Sequence, residues 1–97
     1  MAMYNLIIKS QAISNLKEHV KFLANVSVKA SVELENDFYH VVSKLTKRPF
    51  ANREIFEGTR RVVLDKRYAI LYEVEGQNIK ILAMYDCRME EYADLLL

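Results

Sequence analysis

Between Arg60 and Arg88 the sequence RRVVLDKRYAILYEVEGQNIKILAMYDCR holds three strand-forming runs spaced so closely that only one local topology can join them. The runs are Arg60–Asp65, Tyr68–Val74 and Ile79–Tyr85, each rich in β-branched and aromatic residues that suit a pleated, half-buried surface. Lys66 and Arg67 alone separate the first two, and Glu75–Gly76–Gln77–Asn78 separates the second and third. A parallel crossover needs about a dozen residues or more, so both connections are hairpins and the three runs form an antiparallel meander. Gly76 and Asn78 offer the positive-φ positions that a short hairpin loop requires. In the middle run Tyr68, Ile70, Tyr72 and Val74 share one face, with Ala69, Leu71, Glu73 and Glu75 on the other. Leu71 is out of place on that second face, which implies that part of it is covered.

The segments before the meander read as a strand and two helices. Tyr4–Lys9 alternates as a short strand, and Ser10 is placed to cap a helix whose stripe is Ile13, Leu16, Val20 and Leu23. Asn25–Ser27 interrupts the pattern. Ser27 then caps a second helix with Leu34, Phe38, Val41 and Leu45 on one face and Val42 beside them, ending before Pro49. Glu33, Glu35 and Asp37 lie in its first half and Lys44, Lys47 and Arg48 at its end, the order that complements a helix dipole. So short a turn makes the pair an antiparallel hairpin that lays both stripes on the sheet. Phe50–Thr59 has no clear period and reads as a loop, with room for a short extended piece at Glu54–Phe56. After Arg88, the tail MEEYADLLL can form a short helix with Asp86 as its cap. The fold class is α+β, a single domain over residues 1–97, with the helix hairpin on one face of a four-stranded sheet.

Ninety-seven residues suffice for one modest core and leave no room for a second domain. Fourteen basic and thirteen acidic residues give a net charge of +1, so contact with a polyanion has to be local. Cys87 is the only cysteine, which rules out an internal disulfide and fits a reducing compartment. No apolar run approaches a signal-peptide core or a membrane span, so the sequence predicts a cytoplasmic protein without a membrane partner. No His, Cys or carboxylate grouping has metal-ligand spacing, and no Gly-rich phosphate cradle is present; no metal or cofactor is expected. His19 and His40, on different helices, read as surface residues rather than an acid or base.

A strand, a helix hairpin and a loop come first, followed by a meander that opens on the basic pair Arg60–Arg61. It carries Tyr68–Ala69–Ile70–Leu71–Tyr72 in its middle and ends on Tyr85–Asp86–Cys87–Arg88. In this order the chain resembles the RelE/ParE superfamily of bacterial toxins over nearly its whole length. The resemblance implies the toxin of a type II toxin–antitoxin or plasmid-stabilisation module, neutralised by a cognate antitoxin that wraps its surface. It also implies a homodimer or a toxin–antitoxin hetero-oligomer as the assembled form. RelE-like members cut messenger RNA on the ribosome, whereas ParE-like members inhibit DNA gyrase without being nucleases.

The two branches place different demands on the residues. A metal-free ribonuclease must activate a 2′-hydroxyl, stabilise an anionic phosphate and protonate a leaving oxygen. For that chemistry the resemblance implies Arg61 (or Arg60, depending on register), Arg88 and a tyrosine, Tyr92 or Tyr85. The arginine expected in the middle strand is missing, because Ala69 holds its position. Arginine hardly ever deprotonates, so those that are present can clamp phosphate but not act as a base. This tilts the expectation toward a ParE-like inhibitor of gyrase, with the RelE-like ribonuclease and an inactive antitoxin-binding module as alternatives. Arg60, Lys66, Arg67 and Tyr85 are the expected contacts to target or antitoxin.

Overall fold

The computed structural model describes residues 4–88. Its elements are β1 (Asn5–Ile8), α1 (Ser10–Ala24), α2 (Val28–Leu45), β2 (Glu54–Phe56), β3 (Thr59–Leu64), β4 (Tyr68–Glu75) and β5 (Asn78–Asp86). The expected tail helix and Tyr92 lie outside the described residues.

α1 leaves the sheet directly. The Lys9 N–H still donates to Ile81 O at 2.9 Å, while Lys9 O already accepts the first helical bond from Ile13 N–H at 3.2 Å. Lys9 is therefore the N-cap residue, without a side-chain cap, and Ser10 lies inside the helix rather than capping it. Ala12 and Leu16 are buried, with Val20 and Leu23 packed against the core at the same helical spacing. α2 starts as its sequence dictates: Ser27 Oγ accepts the Ala30 N–H at 3.1 Å, satisfying one of the donors a helix start leaves open. Leu34, Phe38, Val42 and Leu45 form its buried stripe.

The sheet order is β1-β5-β4-β3-β2, with β1 parallel to β5 and every other pair antiparallel. The expected meander is β3-β4-β5. The sheet has five strands rather than four, because Glu54–Phe56 pairs with β3 across the two-residue connection Glu57–Gly58. Gly58 adopts φ 79°, which closes that tight turn. Both helices cover one face. There Tyr68, Ile70 and Tyr72 of β4 and Ile79, Ile81 and Met84 of β5 meet Leu16, Leu34, Phe38, Val42 and Leu45.

One irregularity in β5 decides what each face carries. Tyr72 pairs with Ile81 but Leu71 pairs with Ala83, so Leu82 is the extra residue of a β-bulge. Before the bulge the odd positions Ile79 and Ile81 face the helices; beyond it the even positions Met84 and Asp86 do, opposite Ile70 and Tyr68.

Candidate functional site

The two arginines that open the meander point to opposite sides. Arg60 is opposite Tyr72 and takes the helix side, where Nη1 donates to Asn52 O and Nη2 meets Glu54 Oε1 at 3.5 Å. Its guanidinium also lies 5.0 Å from the centroid of the Phe50 ring. Tyr72 Oη secures the same loop, donating to Pro49 O at 3.0 Å and accepting from Asn52 Nδ2 at 3.2 Å. Arg60 therefore holds the loop between α2 and β2 against the sheet. Arg61 is opposite Leu71, which in turn pairs with Ala83, on the helix-free face. On that face Ala69 lies between Val63 and Tyr85 in register and is fully buried.

A second group gathers at the end of the sheet where β3 turns into β4 and β5 stops. Arg67 N–H donates to Leu64 O at 3.1 Å, closing a turn in which Asp65 (φ 54°) and Lys66 (φ 58°) both take left-handed conformations without a glycine. The turn carries Arg67 over the Tyr68 ring, 5.0 Å from its centroid, and the His19 ring approaches the same Tyr68 at 5.0 Å. Arg67 O accepts the Cys87 N–H at 2.6 Å, tying the turn to the end of β5.

Asp86 organises this end. Its carboxylate accepts Arg67 Nε at 3.3 Å, Arg88 Nε at 3.1 Å, Arg88 Nη2 at 2.8 Å and the Arg88 backbone N–H at 2.9 Å. The Arg88 side-chain bonds above all, then its backbone N–H and Arg67, hold the Asp86 carboxyl far below the usual range against the opposing effect of burial. Arg88 makes a two-pronged contact with Asp86 while its side chain stays 64% exposed. α1 faces the group across a cleft of about 330 Å³ and supplies Asn15, Glu18, His19 and Phe22; Met84, Asp86, Arg88 and Arg67 line the sheet side. Asn15 Oδ1 accepts the Met84 N–H at 3.1 Å and so fixes α1 against β5.

The structure brings Arg67 and Arg88 together and separates both from Arg61. Arg88 stays with Asp86 on the helix side, whereas Arg61 belongs to the opposite face. Tyr85 alternates to the face away from the helices, opposite Ala69, is 6% exposed, and also borders the cleft beside Met84 and Asp86. Lys66 is exposed at the apex of the left-handed turn, and Arg60 is engaged by the loop. Burial pushes the Cys87 thiol up against the opposing charge of Arg61, which disfavours a thiolate nucleophile. Among the described residues no group of three His, Cys, Asp or Glu is placed to hold a metal ion. None of the described helices is long and apolar enough to cross a membrane.

The sequence reads His19 as a surface or helix-flank residue, whereas the helix turns it into the cleft beside Tyr68. The pairing of Asp86 with Arg88 is legible in the sequence, as a phosphate clamp held by a carboxylate or as a structural ion pair, and the carboxylate collects Arg67 as well. Only the contact from Arg67, 19 residues away, has no local signal.

An N-terminal strand, a helix hairpin and an antiparallel meander make up a RelE/ParE-like fold. A solved structure that resembles the chain belongs to the chromosomal ParDE TA system from P. aeruginosa, with a TM-score of 0.74 and 20% identity over 87% of this chain and 96% of that one. No protein-family model and no curated protein matches the sequence.

Proposed function

We propose that the chain is the growth-inhibiting toxin of a type II toxin–antitoxin pair, acting in the cytoplasm on DNA gyrase and neutralised by a cognate antitoxin. The likeness to a ParDE chain over nearly the full length of both supports membership of such a module. One observation favours target binding over RNA cleavage: Arg61 and Arg88, the two basic groups a ribonuclease of this type would use, lie on opposite faces of the sheet. The sheet stands between the two positions, and Ala69 leaves the middle of the helix-free face without a charge. Cleavage chemistry needs donors converging on one developing anion, and this arrangement disperses them.

The test is expression of the chain alone in growing bacteria. Message ends are mapped within minutes, and purified protein is added to a gyrase supercoiling assay. Growth arrest with intact messages and loss of supercoiling is the expected result. Fresh cuts in ribosome-bound messages would overturn the gyrase reading in favour of the ribonuclease. The absence of any arrest would leave an antitoxin-binding module without toxic activity.

A further inference from the structure

We propose that the cleft between α1 and the end of β5 is a docking pocket for a segment of a partner protein that presents one carboxylate beside an apolar side chain. Its volume, about 330 Å³, is enough for one or two side chains and falls at the lower end of the roughly 300–1,000 Å³ typical of binding pockets. The sheet side supplies the polar recognition. Arg88 uses Nε and Nη2 on Asp86, and Arg67 uses only Nε, so Nη1 of Arg88 and both terminal nitrogens of Arg67 donate to none of the described residues. Both guanidinium groups are held in place by one carboxylate, so their remaining N–H groups are oriented before anything binds, which lowers the ordering cost of binding.

The α1 side supplies the apolar recognition. Phe22 is 62% exposed at the lip, and Val26 and Val28, more exposed still, continue the apolar surface around the turn between the helices. Charge separates the two classes of macromolecule that bring anions. Arg67 and Arg88 are matched in number by Asp86 and Glu18 within the cleft. A phosphodiester strand, with a charge on every residue, would gain little from a cleft of no net charge and would run against Glu18. A single carboxylate can settle on the Arg88 side with Glu18 on the opposite wall, while its apolar neighbour covers Phe22. In the toxin reading this partner is the antitoxin. Only the partner's identity rests on that reading: growth arrest tests the toxin, peptide binding tests the pocket, and each can fail alone.

The experiment selects binders from a random peptide library on the full-length chain and measures their affinities by fluorescence anisotropy. Expected binders carry Asp or Glu next to Leu, Ile, Met or Phe, and replacing their acid by its amide weakens binding about tenfold. R88Q weakens binding about five- to tenfold and F22S about tenfold, whereas K44Q on the exposed last turn of α2 has no effect. Arg88 and Phe22 are mostly exposed, so both variants fold, which thermal melting verifies. Binders without an acid, or affinities indifferent to both R88Q and F22S, would overturn the proposal. So would a short random-sequence RNA that binds more tightly than any peptide and displaces it.

Discussion

Replacing Tyr72 by phenylalanine removes one oxygen from a side chain that is 0% exposed. The ring stays packed, so no cavity larger than a hydroxyl forms and the cost is confined to hydrogen bonding. Two bonds go: the one donated to Pro49 O at 3.0 Å and the one accepted from Asn52 Nδ2 at 3.2 Å. An ordinary intramolecular hydrogen bond contributes about 0.5–1.5 kcal/mol, and a buried group left without its partner costs about 1–3 kcal/mol. Pro49 is buried and falls in the second class; Asn52 is half-buried, so water replaces much of its loss. Together these give about 2 kcal/mol, or a fall in Tm of about 8–16 °C for a domain of this size. In urea the midpoint moves down by about 1 M for a slope near 2 kcal/mol/M. The chain has no tryptophan, so far-UV circular dichroism is the probe. N52A supplies the second arm. It destabilises the wild-type protein by less than Y72F does, and costs less still in the Y72F background, where its partner oxygen is gone. A Y72F protein within about 0.5 kcal/mol of wild type, or strictly additive variants, would show that the hydroxyl does not anchor the loop.

The two perturbed carboxylates respond to acid in opposite directions. The Asp86 carboxyl is held down by Arg88 first and Arg67 after it, so its stabilising contribution is complete above its ordinary value of 3.8 and is lost as pH falls through its lower folded value. D86N melts below wild type at neutral pH, and the gap narrows as the buffer is taken below about pH 4 in a pH-resolved melting series. Asp65 is raised, by burial first and by Asp37 and Glu33 next, so it opposes folding when charged, and that penalty disappears as pH falls through its folded value toward 3.8. D65N therefore melts above wild type at pH 7, and its advantage vanishes in acid; the same series reads it. K66G relieves a left-handed lysine at φ 58° and creates the Asp-Gly pair that such turns favour. The relief exceeds the added freedom of the unfolded chain, for a net gain of up to about 1 kcal/mol by urea titration.

Periodicity carried much of the fold. The alternation in Tyr68–Val74 placed Tyr68, Ile70 and Tyr72 on the helix side, and the stripe through Leu34, Phe38 and Leu45 identified the buried face of α2. What stayed hidden had no local signature. Glu54–Phe56 reads as an extended piece, but its pairing with β3, which adds the fifth strand, leaves no mark in so short a run. The Ser10 cap failed because the ladder bond from Lys9 to Ile81 starts the helix one residue earlier, a long-range effect. The Asp65–Lys66 turn takes positive φ without a glycine to announce it. For the site, the resemblance put Arg61 (or Arg60) with Arg88 on one phosphate and Arg60, Lys66 and Arg67 among the contacts to target or antitoxin. Strand alternation divides Arg60 from Arg61, and the bulge at Leu82 separates Arg61 from Arg88, so residues that look associated in sequence serve three different places. His19 entered the cleft by helix packing alone, which no motif encodes.

The extra residue at Leu82 makes deletion a different kind of event here from substitution. A chain lacking that one codon would lose the bulge yet keep Ala83, Met84 and Asp86 opposite Leu71, Ile70 and Tyr68, each on its present face. Two genes that differ in length at this point could therefore encode the same surfaces. An alignment that closes the gap anywhere else along β5 would equate side chains that never share an environment. Transferring residue roles between such proteins requires counting positions through the bulge before comparing letters.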